Sequence, residues 1–189
     1  MDALDLLRTR RSVSAAFLGA PGPDKAQLDE ILTIAARVPD HGKLAPWRFI
    51  VFAGDGPAKV SALLADLYAR KHPEAEPSQI ENERKRLALA PVVVAVVSKA
   101  APHVKIPEWE QFLSAGNAAY NLLLAANALG FRANWTTGWI AGDADTGPIL
   151  GLSPGEKVVA FIHIGTATTE IADRPRPALE DVVSVWQAP

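Results

Sequence analysis

The stretch Trp109–Leu129 constrains the fold more than any other part of the chain. Alanine, leucine and small residues recur on most of its faces, which predicts one long helix that is apolar nearly all round. Such a helix needs cover on several sides, as at a sheet and a subunit boundary. Gly130 follows where a C-capping glycine belongs. The asparagines inside the stretch make it too polar to span a bilayer, and the other strongly apolar run, Val92–Val97, is too short.

Around this helix the sequence predicts shorter elements. Asp2–Arg8 reads as a small amphipathic helix. Asp24 is the N-cap of a second helix, in which Leu28, Ile31, Leu32, Ala35 and Ala36 recur at helical spacing until Pro39 stops it. Trp47–Ala53 is aromatic and β-branched and reads as a strand. Ala58–Arg70 and roughly Gln79–Leu89 read as helices, and the polar Lys71–Ser78 between them as a break and a candidate lid. Val92–Ser98 is a continuous β-branched run suited to a buried strand. Phe131–Thr136, Asp143–Leu150 and Lys157–Gly165 read as a short strand, a helical turn and a long strand. Helices and strands alternate, but without a regular βαβ rhythm, which predicts an α+β domain rather than a doubly wound sheet. With 189 residues, 49% of them hydrophobic, one domain can bury an adequate core without staples.

Charge and composition exclude several functions. A formal net charge of −2 gives no general field for nucleic acid or an anionic membrane, so any anion site is local. With no cysteine there is no disulfide framework, thiolate metal site or cysteine nucleophile. The four histidines have no metal-ligand spacing, and there is neither a P-loop nor a G-x-G-x-x-G turn. The N-terminus has early acids and no signal-like apolar run, so a soluble, cytoplasmic protein is expected.

Four segments carry candidate chemistry. Arg10-Arg11-Ser12 places two guanidinium forks and a hydroxyl just past a helix end, a good match to phosphate oxygens. A solvated basic helix terminus explains the same residues. Arg37 to Trp47 collects Arg37, His41 and Lys43 in a loop stiffened by Pro39 and Pro46, as ligand-contacting loops often are; an ordinary solvated turn is the alternative. Asn134–Trp139 sets two indoles, two hydroxyls and a glycine beside one another, either to line a flat aromatic ligand or as a plain strand and turn. Arg174 and Arg176, in a proline-extended tail, reach either a phosphate or only water. His163, inside an apolar strand, reads as a satisfied sheet residue.

In this order and spacing the segments resemble the flavin-dependent nitroreductase family. The resemblance rests on Arg10-Arg11-Ser12, on Pro39 to Pro46-Trp47 followed by a strand, on the long helix with Gly130-Phe131 and a tryptophan-rich turn, and on Phe161-Ile-His-Ile-Gly165. Pro39-Asp40-His41 with Pro46-Trp47 is similar to the small YdjA-like branch. The resemblance implies a single FMN-binding domain over residues 1–189. Its central, mostly antiparallel sheet is flanked by helices, it forms a homodimer through the long helix, and its tail, residues 166–189, packs on the partner. It implies FMN, with NADH or NADPH as electron donor and a small electron-poor molecule as acceptor. Arg10, Arg11 and Ser12 match positions that hold the phosphate and ribityl chain, and Arg174 a late basic position near the phosphate. Arg37 and His41 match positions supplied by the other subunit, and Trp135, Thr136 and Thr137 the segment along the flavin. The chain departs from the family at Ser14, where many members carry a cation, and at Lys43 and Ala45, where Asn and Gln are common.

Two other functions fit the residues. One is a different flavin reaction on the same scaffold, such as dehalogenation or oxidation. The other is a non-enzymatic module binding an anionic effector.

Overall fold

A computed structural model of the chain describes residues 2–188. The chain forms α1 (Ala3–Thr9), β1 (Leu18–Gly19), α2 (Lys25–Ala35), β2 (Trp47–Phe52), α3 (Gly56–Lys71), α4 (Pro77–Lys85), β3 (Val92–Ser98), α5 (Glu108–Ala128), β4 (Arg132–Thr136), α6 (Gly147–Leu150), β5 (Lys157–Ala167) and α7 (Leu179–Val182). The five strands make one sheet in the order β2-β3-β5, and the far edge of β5 is shared by β4 and β1. Every pairing is antiparallel. The long strand β5 pairs with β4 through Phe161–Gly165 and with β1 through Thr166 and Ala167, so one strand aligns two separated parts of the chain.

Strand alternation divides the core into two layers. Val94, Val96, Ile162 and Ile164 face α2 and α5, against Ile31, Ala118, Ala119 and Leu122. Val93, Ala95, Val97 and Phe161 face the other way, against Val60, Leu64, Leu87 and Ile140. All seven residues of β3 are buried because helices cover both faces there, which is why its sequence does not alternate. The helices of the first layer begin at well-defined stops. Asp24 accepts from the Gln27 N–H while the Gln27 side chain accepts from the Asp24 N–H, a reciprocal capping box at the start of α2. Gly130 takes φ +90° just beyond α5, the left-handed conformation expected after a helix end.

The sequence placed two boundaries differently. Pro77 occupies the first turn of α4 and Glu76 with Gln79 closes a second capping box, so that helix begins earlier than Gln79; it ends at Lys85, well before Leu89. Lys71 is the last residue of α3 and is ion-paired to Asp143 and Asp145, so only residues 72–76 separate the two helices.

The Arg37–Trp47 loop is held firmly. The Asp40 carboxylate accepts from the N–H groups of Leu44 and Ala45, and Lys43 and Ala45 have positive φ (56° and 44°), a strained state for side-chain-bearing residues. Gly42 has φ +73°, and a Cβ there would lie 2.3 Å from Ile106 Cδ1. Ser114 of α5 donates to the Pro39 carbonyl, and Asn121 donates to the carbonyls of Ile34 and Arg37. The long helix therefore sets the position of this loop.

One ion pair clamps the far end of the sheet. Arg48 of β2 donates through Nε and Nη2 to Glu156, and Nη2 also reaches the Gly151 carbonyl. These charge-assisted bonds hold the Glu156 carboxyl down at about 2. Because its folded pKa lies below the unfolded one, the stabilisation is complete above about pH 5 and is lost as pH falls toward 2.

Candidate functional site

The start of β4 and the N-terminal segment come together through one backbone bond, from the Val13 N–H to the Ala133 carbonyl (3.2 Å). This bond places Arg11 and Val13 beside the free edge of β4. A cavity of about 620 Å³ opens there, lined by Thr9, Arg10, Arg11, Val13, Asn127 and Arg132 together with residues 167–171. Its volume lies within the roughly 300–1,000 Å³ typical of ligand sites. The Arg10 guanidinium stands 5.9 Å from the Tyr120 ring centroid, a cation–π contact that fixes its direction without neutralising it. Arg11 Nε donates to the Ala172 carbonyl (3.1 Å) and lies 3.5 Å from Asp173, so the start of the tail is docked against the opening arginines. Arg174 follows directly, its own N–H bonded to the Asp173 carboxylate and its side chain in solvent.

Ser12 is exposed between the two cavity-lining residues Arg11 and Val13. Trp135 and Thr137 are exposed at the far end of β4. The Thr136 hydroxyl turns inward to His163 Nε2 (3.1 Å), so this residue offers its backbone rather than its side chain to the surface. His41 lies elsewhere, while the Arg37 carbonyl accepts from Asn121 of α5, the residue next to Tyr120. His41 Nδ1 is 2.8 Å from Glu110 in the first turn of α5, whereas Arg10 meets α5 at Tyr120 and the cavity reaches Asn127. At about 1.5 Å per helical residue these points are separated by about 15–25 Å. A single chain does not bring His41 to the cavity that Arg10 lines.

The structure also shows a polar network under the Thr136–Gly138 turn that the sequence reading missed. Glu83 is 6% exposed and accepts from Arg86 Nε and Nη2 and from Trp139 Nε1 (2.8 Å). Burial works against the Glu83 carboxylate, but its bonds to Arg86 and Trp139 outweigh this and leave its pKa lowered. The Glu83–Arg86 spacing on α4 was visible in the sequence; its burial was not. Gly138 has φ +71° and ψ −172°, a region essentially restricted to glycine, and a Cβ there would be 3.0 Å from Arg86 Nη1.

His163 lies against the same layer. Its Nε2 is bonded to Thr136, but its Nδ1 is buried without a hydrogen-bond partner, so the expectation of a fully satisfied sheet histidine holds for only one nitrogen. Desolvation, aided by the Arg86 charge, lowers its pKa to about 4. The ring is neutral at pH 7. Protonation is favoured in the unfolded chain, so stability is complete above about 6.5 and declines as pH falls toward 4. Chemical unfolding of the wild type is therefore expected to show stability falling between about pH 6.5 and 4 from His163 and continuing below about 4.5 from Glu156. His163→Gln should flatten the upper part only, and Glu156→Gln the lower part only. Identical pH profiles for wild type and both variants would contradict these assignments.

Among the described residues, no group of three or more His, Asp or Glu is placed to hold a metal. None of the described helices is long and apolar enough to cross a membrane.

An antiparallel sheet between helical layers, with an arginine-lined cavity at its edge, defines a class that comparison with known proteins makes specific. The nitroreductase family pattern matches residues 7–166, and the chain belongs to that family. A Haemophilus influenzae protein named "Putative NAD(P)H nitroreductase" is 43% identical over 169 residues, covering 88% of this chain and 89% of its own. "Putative NAD(P)H nitroreductase YdjA" of Escherichia coli K12 is 36% identical over 166 residues, with 88% of each covered. Among solved structures, a nitroreductase-like protein from Bacillus cereus superposes with a TM-score of 0.81 at 20% identity, over 100% of this chain and 97% of that one. The FMN and NADPH-dependent nitroreductase NfnB from a sphigopyxis strain gives 0.77 at 20% identity, over 100% of both chains.

Proposed function

We propose that the protein is a homodimeric, FMN-dependent NAD(P)H oxidoreductase that reduces nitroaromatic, quinone or similar electron-poor acceptors in a ping-pong cycle. The observation that carries this reading is the convergence of Arg10 and Arg11 on a cavity at the start of β4. A phosphate needs forked, charge-assisted donors, and these side chains supply them. Bound FMN would supply a hydride carrier that accepts from the nicotinamide and donates to the acceptor.

The residues of this chain do the rest. Arg10, Arg11 and Ser12 hold the phosphate and ribityl end, with Arg174 closing from the tail. Trp135, Thr136 and Thr137 form the platform along the ring. Arg37 and His41 reach the site from the other subunit, which accounts for the distance of His41 from Arg10 within one chain. Two features support a dimer. Trp109, Leu113 and Tyr120 form an exposed apolar stripe along α5 (63%, 57% and 43%), and Val185 and Trp186 of the tail are exposed at 84% and 81%. Such surfaces need cover. Antiparallel pairing of two α5 helices would bring the partner's loop, at the start of its helix, toward the Tyr120 end of this one, and the tail would then pack on the partner.

Purified protein is expected to carry flavin absorption and to be bleached by NADH or NADPH. Arg10→Ala should weaken FMN binding by about 1–3 kcal/mol, the scale of a lost charge-assisted bond, as read by titration of the stripped protein. Colourless protein that takes up no FMN would instead indicate an anion-binding module. Full FMN retention by both Arg10→Ala and Arg174→Ala would displace the phosphate site.

A further inference from the structure

Resting on that reading, we infer that Arg132 is a further cofactor-binding residue, a third guanidinium that grips the phosphate together with Arg10 and Arg11. Three arginines line the cavity against one lining carboxylate, Glu170, with Asp173 just outside the lining at 3.5 Å from Arg11. The second cavity sets Asp143 and Glu156 against Lys157, and the third sets Glu108 against Lys157. A surplus of positive charge therefore marks the first cavity, in a chain whose net charge is −2. Arg132 is half-buried, its Nη1 donates to the neighbouring Phe131 carbonyl (2.9 Å), and among the described residues it forms no ion pair with a carboxylate. Arg10 likewise has no carboxylate partner among the described residues and rests on Tyr120 instead. Cations that line one cavity are stabilised by a dianion bound between them.

Strand β4 supplies the spacing. Arg132 is its first residue and Thr136 its last, with Trp135 and Thr137 exposed beside it. At about 3.3 Å per residue the cation and the ring platform are about 13 Å apart, a separation suited to phosphate at one end and ring at the other of a ribityl-linked flavin.

The test is FMN and riboflavin binding to the stripped full-length protein, with thermal unfolding as the fold control. For Arg132→Gln, which keeps the stem, FMN affinity should fall about tenfold or more while riboflavin affinity stays within about twofold of wild type. Arg132→Lys should recover part of the loss. The dependence of FMN affinity on salt should become shallower in Arg132→Gln, as one charge leaves the phosphate site. Unchanged FMN affinity in Arg132→Gln, or equal losses for FMN and riboflavin, overturns the inference. If Arg10→Ala loses FMN and Arg132→Gln does not, this inference alone fails. If the wild type binds no FMN, the functional reading fails with it.

Discussion

Leu113→Glu should split the proposed dimer and release most of the FMN. Leu113 is 57% exposed on the outer face of α5, in line with Trp109 and Tyr120, while the opposite face, Ala115, Ala118, Ala119 and Leu122, is buried against the sheet. In a single subunit a glutamate at this position costs almost nothing, since it points to water. In a two-fold interface the same change buries two like charges without partners, at about 3 kcal/mol or more per dimer. Sedimentation or light scattering should therefore report a monomer of unaltered secondary structure. FMN affinity should fall by about two orders of magnitude or more, because the proposed two-subunit site would lose Arg37 and His41 along with the partner. A variant that stays dimeric with its flavin in place would show that this face of α5 is free, and the two-subunit site would have to be abandoned.

Glu83→Ala is expected to reduce unfolding stability by about 3 kcal/mol. Glu83 is buried and serves three donors: Nε and Nη2 of Arg86, and Nε1 of Trp139. Its removal leaves a partly buried guanidinium and an indole N–H without an acceptor. Losing one partner of a buried ion pair is more costly than losing the pair. The estimate sits at the low end of the usual range because the Arg86 side chain remains 32% exposed and keeps some hydration. For a chain of this size that corresponds to a melting-temperature decrease of about 6–12 °C. The effect should also reach the site, since Trp139 follows Gly138 and Thr137 directly in the chain. FMN binding should weaken in Glu83→Ala even though Glu83 touches no ligand. Glu83→Gln keeps one acceptor and should fall between the two. A stability loss below about 1 kcal/mol would mean that water replaces the carboxylate readily.

Local chemistry made much of the fold legible. The β-branched run Val92–Ser98, the N-cap Asp24, the small-residue helix and Gly130 each state a conformation within a few residues, and each adopts it. The errors came where turns are decided by competing caps. Pro77 with the Glu76–Gln79 box started α4 earlier than its hydrophobic spacing indicated, and Lys71 continued α3 because Asp143 and Asp145 hold it from a distant segment. Arg10-Arg11-Ser12 alone was explained as well by a solvated helix terminus, and only the family resemblance pointed to a phosphate; the structure sets both arginines at a cavity. Arg132 was overlooked, since a lone arginine at a strand start carries no local signal. Nor did the sequence show that Thr136 points inward or that Nδ1 of His163 is left unpaired.

The sequence by itself therefore determined which segments are helices and strands, the α+β class, and the family to which the chain belongs. Only the tertiary structure decided that Arg10, Arg11 and Arg132 share one cavity, that Glu83 is buried beneath the Thr136–Gly138 turn, and that His41 stands beside Glu110, far from Arg10. The physical reason is range. Caps, periodicity and turn preferences act over three or four residues, so they are written locally. Cavities, buried charge and pKa shifts depend on sheet register and on the low-dielectric surroundings that distant segments create, and these exist only after β5 has aligned β4 with the segment that precedes β1.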